Sequence, residues 1–420
     1  CLEGFSALLT LAHQQQWSSI VIGTGSKLGW GNPTPAPDLL ISTQRLNRVL
    51  DHAVGDLTIT VEAGATLAQV QTVLQAQQQW LPLDPAYPAT ATLGGIVATA
   101  DAGSLRHRYS GVRDLILGIE VIRADGQRAK AGGRVVKNVA GYDLMKLFTG
   151  AYGTLGAIAQ LTLRTYPLPP AETSVWITGK PEAIATLSQQ IRGSSLTPIA
   201  MDLLSTRIVA QIEAEQFGQT ASGLGLLLKF ATLPESITAQ IETITAWVKT
   251  LGLKQMVLPE QESPAGWEAI APLVLDGGSK PPIQNPPDIC HTDTLNFRPA
   301  VLVRQPQTPD AVTLKLGVLP TAAVDLLTQL PPDAYGRIYA GSGVSHIHFP
   351  TAPTATDLKR LRRLCEQNQG YLSILDGPDS LKAEVEPWGY PGNALWLMQR
   401  LKAKFDPNNL LHPGCFVGGI

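Results

Sequence analysis

The chain has 420 residues, enough for two or three domains with cores of their own. Its apolar fraction of 44% is ordinary, but its charged fraction of 16% is low against a usual value of about 25%. A net charge of −2 with interspersed signs supplies no basic patch to displace counterions, so nucleic acid is excluded as a partner. No apolar run approaches the roughly 20 residues needed to span a bilayer, and no charged segment followed by an apolar one marks a signal peptide. The chain opens on Cys1 rather than Met, which leaves the native N-terminus open. The four cysteines (Cys1, Cys290, Cys365 and Cys415) are scattered. They form neither C-x-x-C nor a disulfide framework, so the chain offers no cluster or metal site of its own, and a reducing cytoplasm fits best.

In chain order, residues 4–16 read as a helix and 18–22 as a short buried strand. That strand ends in Gly23-Thr-Gly-Ser-Lys-Leu-Gly-Trp-Gly31. A second strand follows a Pro-rich turn near 38–42. Residues 48–54 and 57–63 form a hairpin around Gly55-Asp56, and Thr66-Leu-Ala-Gln69 is a capping box that opens a helix to about Gln78. A second Gly-rich loop, 90–99, holds Gly94 and Gly95. Residues 115–123 and 127–131 make another hairpin at Asp125-Gly126. A helix over 141–148 leads through Gly150 and Gly153 to a strand at 156–166, and Pro167, Pro169 and Pro170 mark a domain boundary.

Residues 172–385 alternate short strands with helices. The clearest helix is 236–250, with Ile237, Ile241, Ile244 and Val248 at helical spacing. Residues 276–299 read as a Pro-rich insertion, mobile or partner-facing. A last helix, 393–405, precedes Asp406-Pro-Asn-Asn-Leu-Leu-His-Pro-Gly414.

Glycines let successive backbone amides point into one concavity and hold a phosphate. Gly23–Gly31 is not a Walker A loop, because Lys27 follows Ser26 and precedes Leu28. Nor is it a Rossmann fingerprint, whose third glycine would fall at Leu28. Both of those motifs open a helix, whereas this loop runs into Asn32-Pro-Thr-Pro-Ala-Pro37. Taken alone, a backbone nest and a surface turn fit equally. Three Gly-dense segments within about 130 residues (23–31, 90–99 and 150–156) point instead to one extended ligand lying against backbone, as a dinucleotide would.

Several segments carry a family resemblance: Val21-Ile-Gly-Thr-Gly-Ser26, Thr60-Val-Glu-Ala-Gly-Ala-Thr66, Leu81-Pro-Leu-Asp-Pro85, Ala91-Thr-Leu-Gly-Gly95, Val112-Arg-Asp-Leu-Ile-Leu-Gly118, 136–148, 153–158 and 406–414. They resemble the vanillyl-alcohol oxidase and p-cresol methylhydroxylase (PCMH-type) flavoproteins, and 136–148 resembles the FAD-binding subunits of glycolate oxidases. The resemblance implies an α+β fold with a two-part FAD-binding domain over 1–170, an α+β cap over 171–385, and a segment 386–420 whose helix returns to the FAD domain. It implies FAD, held by Gly23, Thr24, Gly25, Ser26 and Lys27 at the pyrophosphate, and by Pro85, Leu93, Gly94 and Gly95 along the flavin. It also implies that Tyr109, Gly111, Asp114, Gly156 and Ile158 lie near the cofactor. Members with covalent flavin carry a His or Cys in a Gly-rich loop, and neither loop here does, so the FAD is expected to be non-covalent.

Oxidation of a 2-hydroxy acid needs a cation for the carboxylate and a base for the hydroxyl proton. The cap candidates are Arg298, Lys315, His346 and His348. The i, i+2 spacing of the two histidines puts both on one strand face, as half a metal or substrate site. The plainer reading has them facing solvent or a neighbouring subunit, and Arg298 and Lys315 as surface charges. Lys137-Asn138, before Val139-Ala-Gly-Tyr142, looks like an active pair, but the resemblance implies that it shapes a loop beside the flavin, and neither Tyr142 nor Lys146 is read as a catalyst. The resemblance further implies a complex with a catalytic flavin subunit and an iron–sulfur subunit, and peripheral membrane contact only through those partners. A self-sufficient D-lactate or 2-hydroxy-acid dehydrogenase, and a structural subunit with a flavin-type fold, are the alternatives.

Overall fold

The computed structural model describes residues 1–134, 143–217, 223–258, 267, 310–390 and 392–420. The first helix, Leu2–Gln14, buries Phe5, Leu9 and Ala12, one stripe at helical spacing. Strands β1 (Ser19–Ile22) and β2 (Leu39–Ser42) pair in parallel. Strand β3 (Val49–Ala53) turns through a 3₁₀ segment at Val54–Asp56 into β4 (Thr58–Glu62), the hairpin expected around Gly55-Asp56. The capping box is formed: Thr66 Oγ1 accepts from the Gln69 amide and Gln69 Oε1 from the Thr66 amide, opening Leu67–Gln75.

Strand β5 (Gln79–Trp80) pairs with β9 (Tyr166–Pro167). Strands β6 (Ile116–Ile122) and β7 (Arg128–Gly132) form the second hairpin, with Gly126 at φ +81° in its turn. With β8 (Ala157–Arg164) they complete a five-stranded antiparallel sheet ordered β3-β4-β8-β6-β7. Its apolar cluster is sealed by the helices Leu67–Gln75, Leu93–Ala98 and Leu144–Phe148. One expectation fails here. Residues 90–99 are not all loop, because the Thr92 hydroxyl accepts from the Gly95 amide and starts a short helix, Leu93–Ala98.

The chain then enters an eight-stranded sheet. Its strands are β10 (Ala171–Gly179), β11 (Ala200–Leu204), β12 (Leu224–Thr232), β13 (Lys254–Leu258), β14 (Val312–Gly317), β15 (Tyr335–Tyr339), β16 (Val344–Phe349) and β17 (Tyr371–Asp376). The order is β13-β10-β12-β11-β15-β16-β14-β17. Alternation divides its faces. One carries Met201, Leu203, Leu314, Ile338, Ile347 and Ile374 into a core shared with the helices Pro181–Arg192, Pro234–Thr250, Ala323–Thr328 and Ala355–Gln367. The other carries Asp202, Arg337, Tyr339, His346 and Lys315 on adjoining strands.

The last helix, Leu395–Phe405, leads the chain back to the first lobe. Lys402 Nζ donates to Thr154 O and Leu411 O, each at 2.8 Å, and to Asp406 Oδ2 at 2.7 Å. The Ser19 amide bonds Leu410 O and the His412 amide bonds Ser19 O, so the C-terminal segment lies beside β1 in a parallel bridge.

Candidate functional site

The three Gly-dense segments converge on the helix Leu93–Ala98. Thr24 Oγ1 donates to Thr90 O at 3.0 Å, and the amides of Gly150 and Tyr152 donate to Val97 O and Ala98 O at 2.9 and 2.8 Å. A Cβ on Gly23 would lie 2.2 Å from Thr92 Oγ1, so this glycine serves the close approach of the first segment to the second. Gly25 stands at φ +77°, and the successive amides of Thr24, Gly25, Ser26 and Lys27 make no hydrogen bond with another described residue. No helix follows. Four free donors in a left-handed bend form a nest for an anion. The Lys27 side chain points away into an ion pair with buried Asp101 at 2.6 Å, and Asp101 also accepts from the Ala86 amide.

The other sequence-named residues of this lobe fall in several places. Leu93 and Ile158 are core side chains of the five-stranded sheet, and Pro85 is buried. The Gly94 amide bonds Ala63 O, and Gly156 packs beneath the Phe148 ring. Tyr109 stands edge-on between Trp80 and Tyr166, and Gly111 donates to Asp114 Oδ2 at 3.0 Å.

Facing the nest lobe, the polar side of the eight-stranded sheet is built by register. Lys315 of β14 lies opposite His346 of β16, which lies opposite Arg337 of β15. Arg337 Nε donates to Asp202 Oδ2 at 2.6 Å, and the Ser104 hydroxyl of the first lobe donates to the other oxygen of the same carboxylate. Asp84 accepts the amides of Gly103 and Leu105, each at 3.1 Å, which holds the segment bearing Ser104 in place. Burial drives the Asp84 carboxyl up to about 7, against the pull of Arg337.

His346 is 4% exposed and His348 3% exposed, so the solvent-facing reading of the pair is wrong: β16 is interior, with neighbours on both sides and a lobe over its polar face. Tyr339 Oη lies 3.0 Å from His346 Nδ1, and the buried Nε2 has no partner among the described residues. Burial, then the nearby Lys315 charge, lowers His346 to about 3, so its imidazole is neutral at ordinary pH. His348 is instead bound through Nδ1 to Thr313 Oγ1 at 3.1 Å, and burial lowers it to about 4.

Lys315 is not the surface charge its sequence suggested. Burial lowers its pKa, Asp101 opposes this, and Arg106 and Lys27 add to it; its ammonium pairs with no other described residue. Among the described residues no three His, Cys, Asp or Glu side chains cluster as a metal site. Arg298, Lys137, Tyr142 and the insertion 276–299 lie outside the described residues, and Lys146 is an exposed partner of Asp143. Sequence reasoning missed Asp84, Asp101, Ser104, Asp202, Arg337 and Tyr339. The one available signal was an acidic residue inside the apolar run Ile199–Leu204.

Comparison with known proteins adds the following. Residues 2–132 match the FAD binding domain family. A probable mitochondrial D-lactate dehydrogenase of Danio rerio is 26% identical over 440 residues, covering 98% of this chain and 82% of that protein. The glycolate oxidase subunit GlcE of Escherichia coli (strain K12) is 35% identical over 157 residues, covering 37% of this chain and 44% of that protein. Among solved structures, p-cresol methylhydroxylase with substrate bound superposes with a TM-score of 0.70 at 16% identity, covering 99% of this chain and 87% of that one. The expected PCMH-type α+β fold is therefore the observed one, and FAD is the cofactor. The nest fits that group, since its four free amides match an anionic pyrophosphate in a loop with no helix dipole to help.

Proposed function

We propose that this FAD-dependent oxidoreductase oxidises a small 2-hydroxy acid, glycolate first among them, as the FAD-binding subunit of a glycolate oxidase assembly that passes electrons to an iron–sulfur partner. The observation that carries the chemistry is one cross-strand pair. Lys315, a cation without a partner among the described residues, lies opposite His346, a neutral imidazole whose Nε2 is free. Lys315 would hold the substrate carboxylate. With the ring proton on Nδ1, donated to Tyr339 Oη, His346 Nε2 would take the hydroxyl proton. Bound FAD supplies the hydride acceptor. The Thr24–Lys27 amides would hold its pyrophosphate, and without a His or Cys in either Gly-rich segment the attachment would be non-covalent.

The likeness to a glycolate oxidase subunit over 37% of this chain supports the assembly, with clusters held elsewhere. No helix among the described residues is long and apolar enough to cross a membrane; we place the chain in the cytoplasm, with any membrane contact made by partners. A second reading, a self-sufficient D-lactate or 2-hydroxy-acid dehydrogenase, is favoured by a probable D-lactate dehydrogenase that aligns over 98% of this chain.

An absorbance spectrum of the purified chain, followed by anaerobic addition of glycolate or D-lactate, separates these. A flavin band near about 450 nm that bleaches only with partner subunits present supports the first reading. Bleaching by the chain alone supports the second. A colourless chain that takes up no added FAD would be a structural subunit and would sink both.

A further inference from the structure

The shoulder of the nest is held from the other lobe. Lys382, on the short helix Asp379–Glu384 that follows β17, is only 4% exposed. Its Nζ donates to Gly29 O at 2.7 Å, Gly31 O at 2.8 Å and Leu375 O at 3.3 Å. The Gly31 amide returns a bond to Leu375 O, and a Cβ on Gly29 would lie 2.7 Å from Asp376 Oδ1. Residues 29–31 are therefore clasped between the end of β17 and the ammonium of Lys382. Two tight turns, Leu28 N to Gly25 O and Trp30 N to Lys27 O, join that clasp to the four free amides.

We infer that Lys382 is a positioning residue for cofactor binding: by fixing the carbonyls of Gly29 and Gly31 it sets the bend that aims the Thr24–Lys27 amides, so the cap lobe tunes the affinity of the FAD lobe for a pyrophosphate. This rests on those amides being the pyrophosphate site. An anion nest holds its ligand by the direction of its N–H groups, so a small rotation of the loop weakens every bond at once. Replacing Lys382 by Met keeps the length of the side chain, leaves the Gly29 and Gly31 carbonyls without the Lys382 donor, and frees the shoulder.

The test uses the full chain stripped of flavin and two probes, FAD and ADP, the latter carrying the pyrophosphate without the flavin. K382M is expected to bind both about tenfold more weakly, or worse, the scale of one lost charge-assisted hydrogen bond. K229M is the comparator. It removes a lysine 18% exposed on β12 that pairs with Glu172 of β10, and it should leave ADP affinity unchanged. Equal ADP affinity in K382M and the parent chain overturns the inference, as does an equal loss in K229M. If K382M does not fold, K382R carries the test. It keeps the charge but alters donor reach, and an unchanged affinity for ADP and FAD overturns the inference. Failure of the parent chain to bind ADP at all would instead overturn the pyrophosphate reading of the nest.

Discussion

Replacing Asp202 by alanine removes a buried carboxylate that pairs with Arg337 inside the eight-stranded sheet through one oxygen and accepts from Ser104 of the first lobe through the other. Asp202 is fully buried, and its partner Arg337 keeps only 10% of its side chain exposed. An orphaned buried charge costs about 3–5 kcal/mol. The Ser104 hydroxyl, itself 1% exposed, loses its acceptor as well, at about 1–3 kcal/mol. Against this, Asp84 lies within electrostatic reach of Arg337 and ionises more readily once Asp202 is gone. The net expectation for D202A is a loss of about 4 kcal/mol, on the order of 10 °C in melting temperature. Urea denaturation of D202A, R337M and the double variant is the assay. Because R337M removes the orphan along with its partner, the double variant should lose about 3 kcal/mol less than the two single losses added together. A D202A loss under about 1 kcal/mol, or a coupling near zero, would refute the view that this pair is desolvated beneath the first lobe.

Lys315→Met should raise the half-saturating concentration of 2-hydroxy acid about tenfold to a hundredfold, the range for losing a bond to a charged group, while FAD affinity stays the same; substrate titrations followed by flavin absorbance would show it. Stability between about pH 4 and 7 should reflect two opposed groups. The folded pKa of His346 lies below its ordinary value, so its contribution is complete above about 6.5 and is lost as pH falls toward about 3. The folded pKa of Asp84 lies above its ordinary value, so the native state binds the extra proton and stability falls as pH rises toward about 7. Urea midpoints against pH should therefore lose their acid-side fall in H346Q and their neutral-side fall in D84N; unchanged profiles would contradict these environments. Thr66→Ala should cost about 1 kcal/mol through the lost capping box, seen as a lower urea midpoint with unchanged slope.

Much of the first lobe was legible in the sequence because its determinants are local. The Thr66 and Gln69 capping box and the turn at Asp125-Gly126 each specify their own few residues, and each formed as read. The short helix after Thr92 was hidden because Gly94 and Gly95 are poor helix formers, whereas the Thr92 cap and the docking of Leu93 and Ile96 in the core outweigh that preference.

What the sequence determined by itself was the kind of ligand. Three Gly-dense segments, none opening a Walker or Rossmann helix, pointed to one extended ligand lying against backbone, and the fold brings all three to one short helix. The reacting face was decided only by tertiary structure. Asp202 and Arg337 are 135 residues apart, and Lys315, His346 and Arg337 meet only through the register of β14, β16 and β15. Period-two alternation says which residues share a face of one strand, but not which strand lies beside it or what covers that face. A second lobe covers it here, so Lys315, which read as a surface charge, is buried with no partner for its ammonium among the described residues, and His346, which read as solvent-facing, is a buried neutral imidazole.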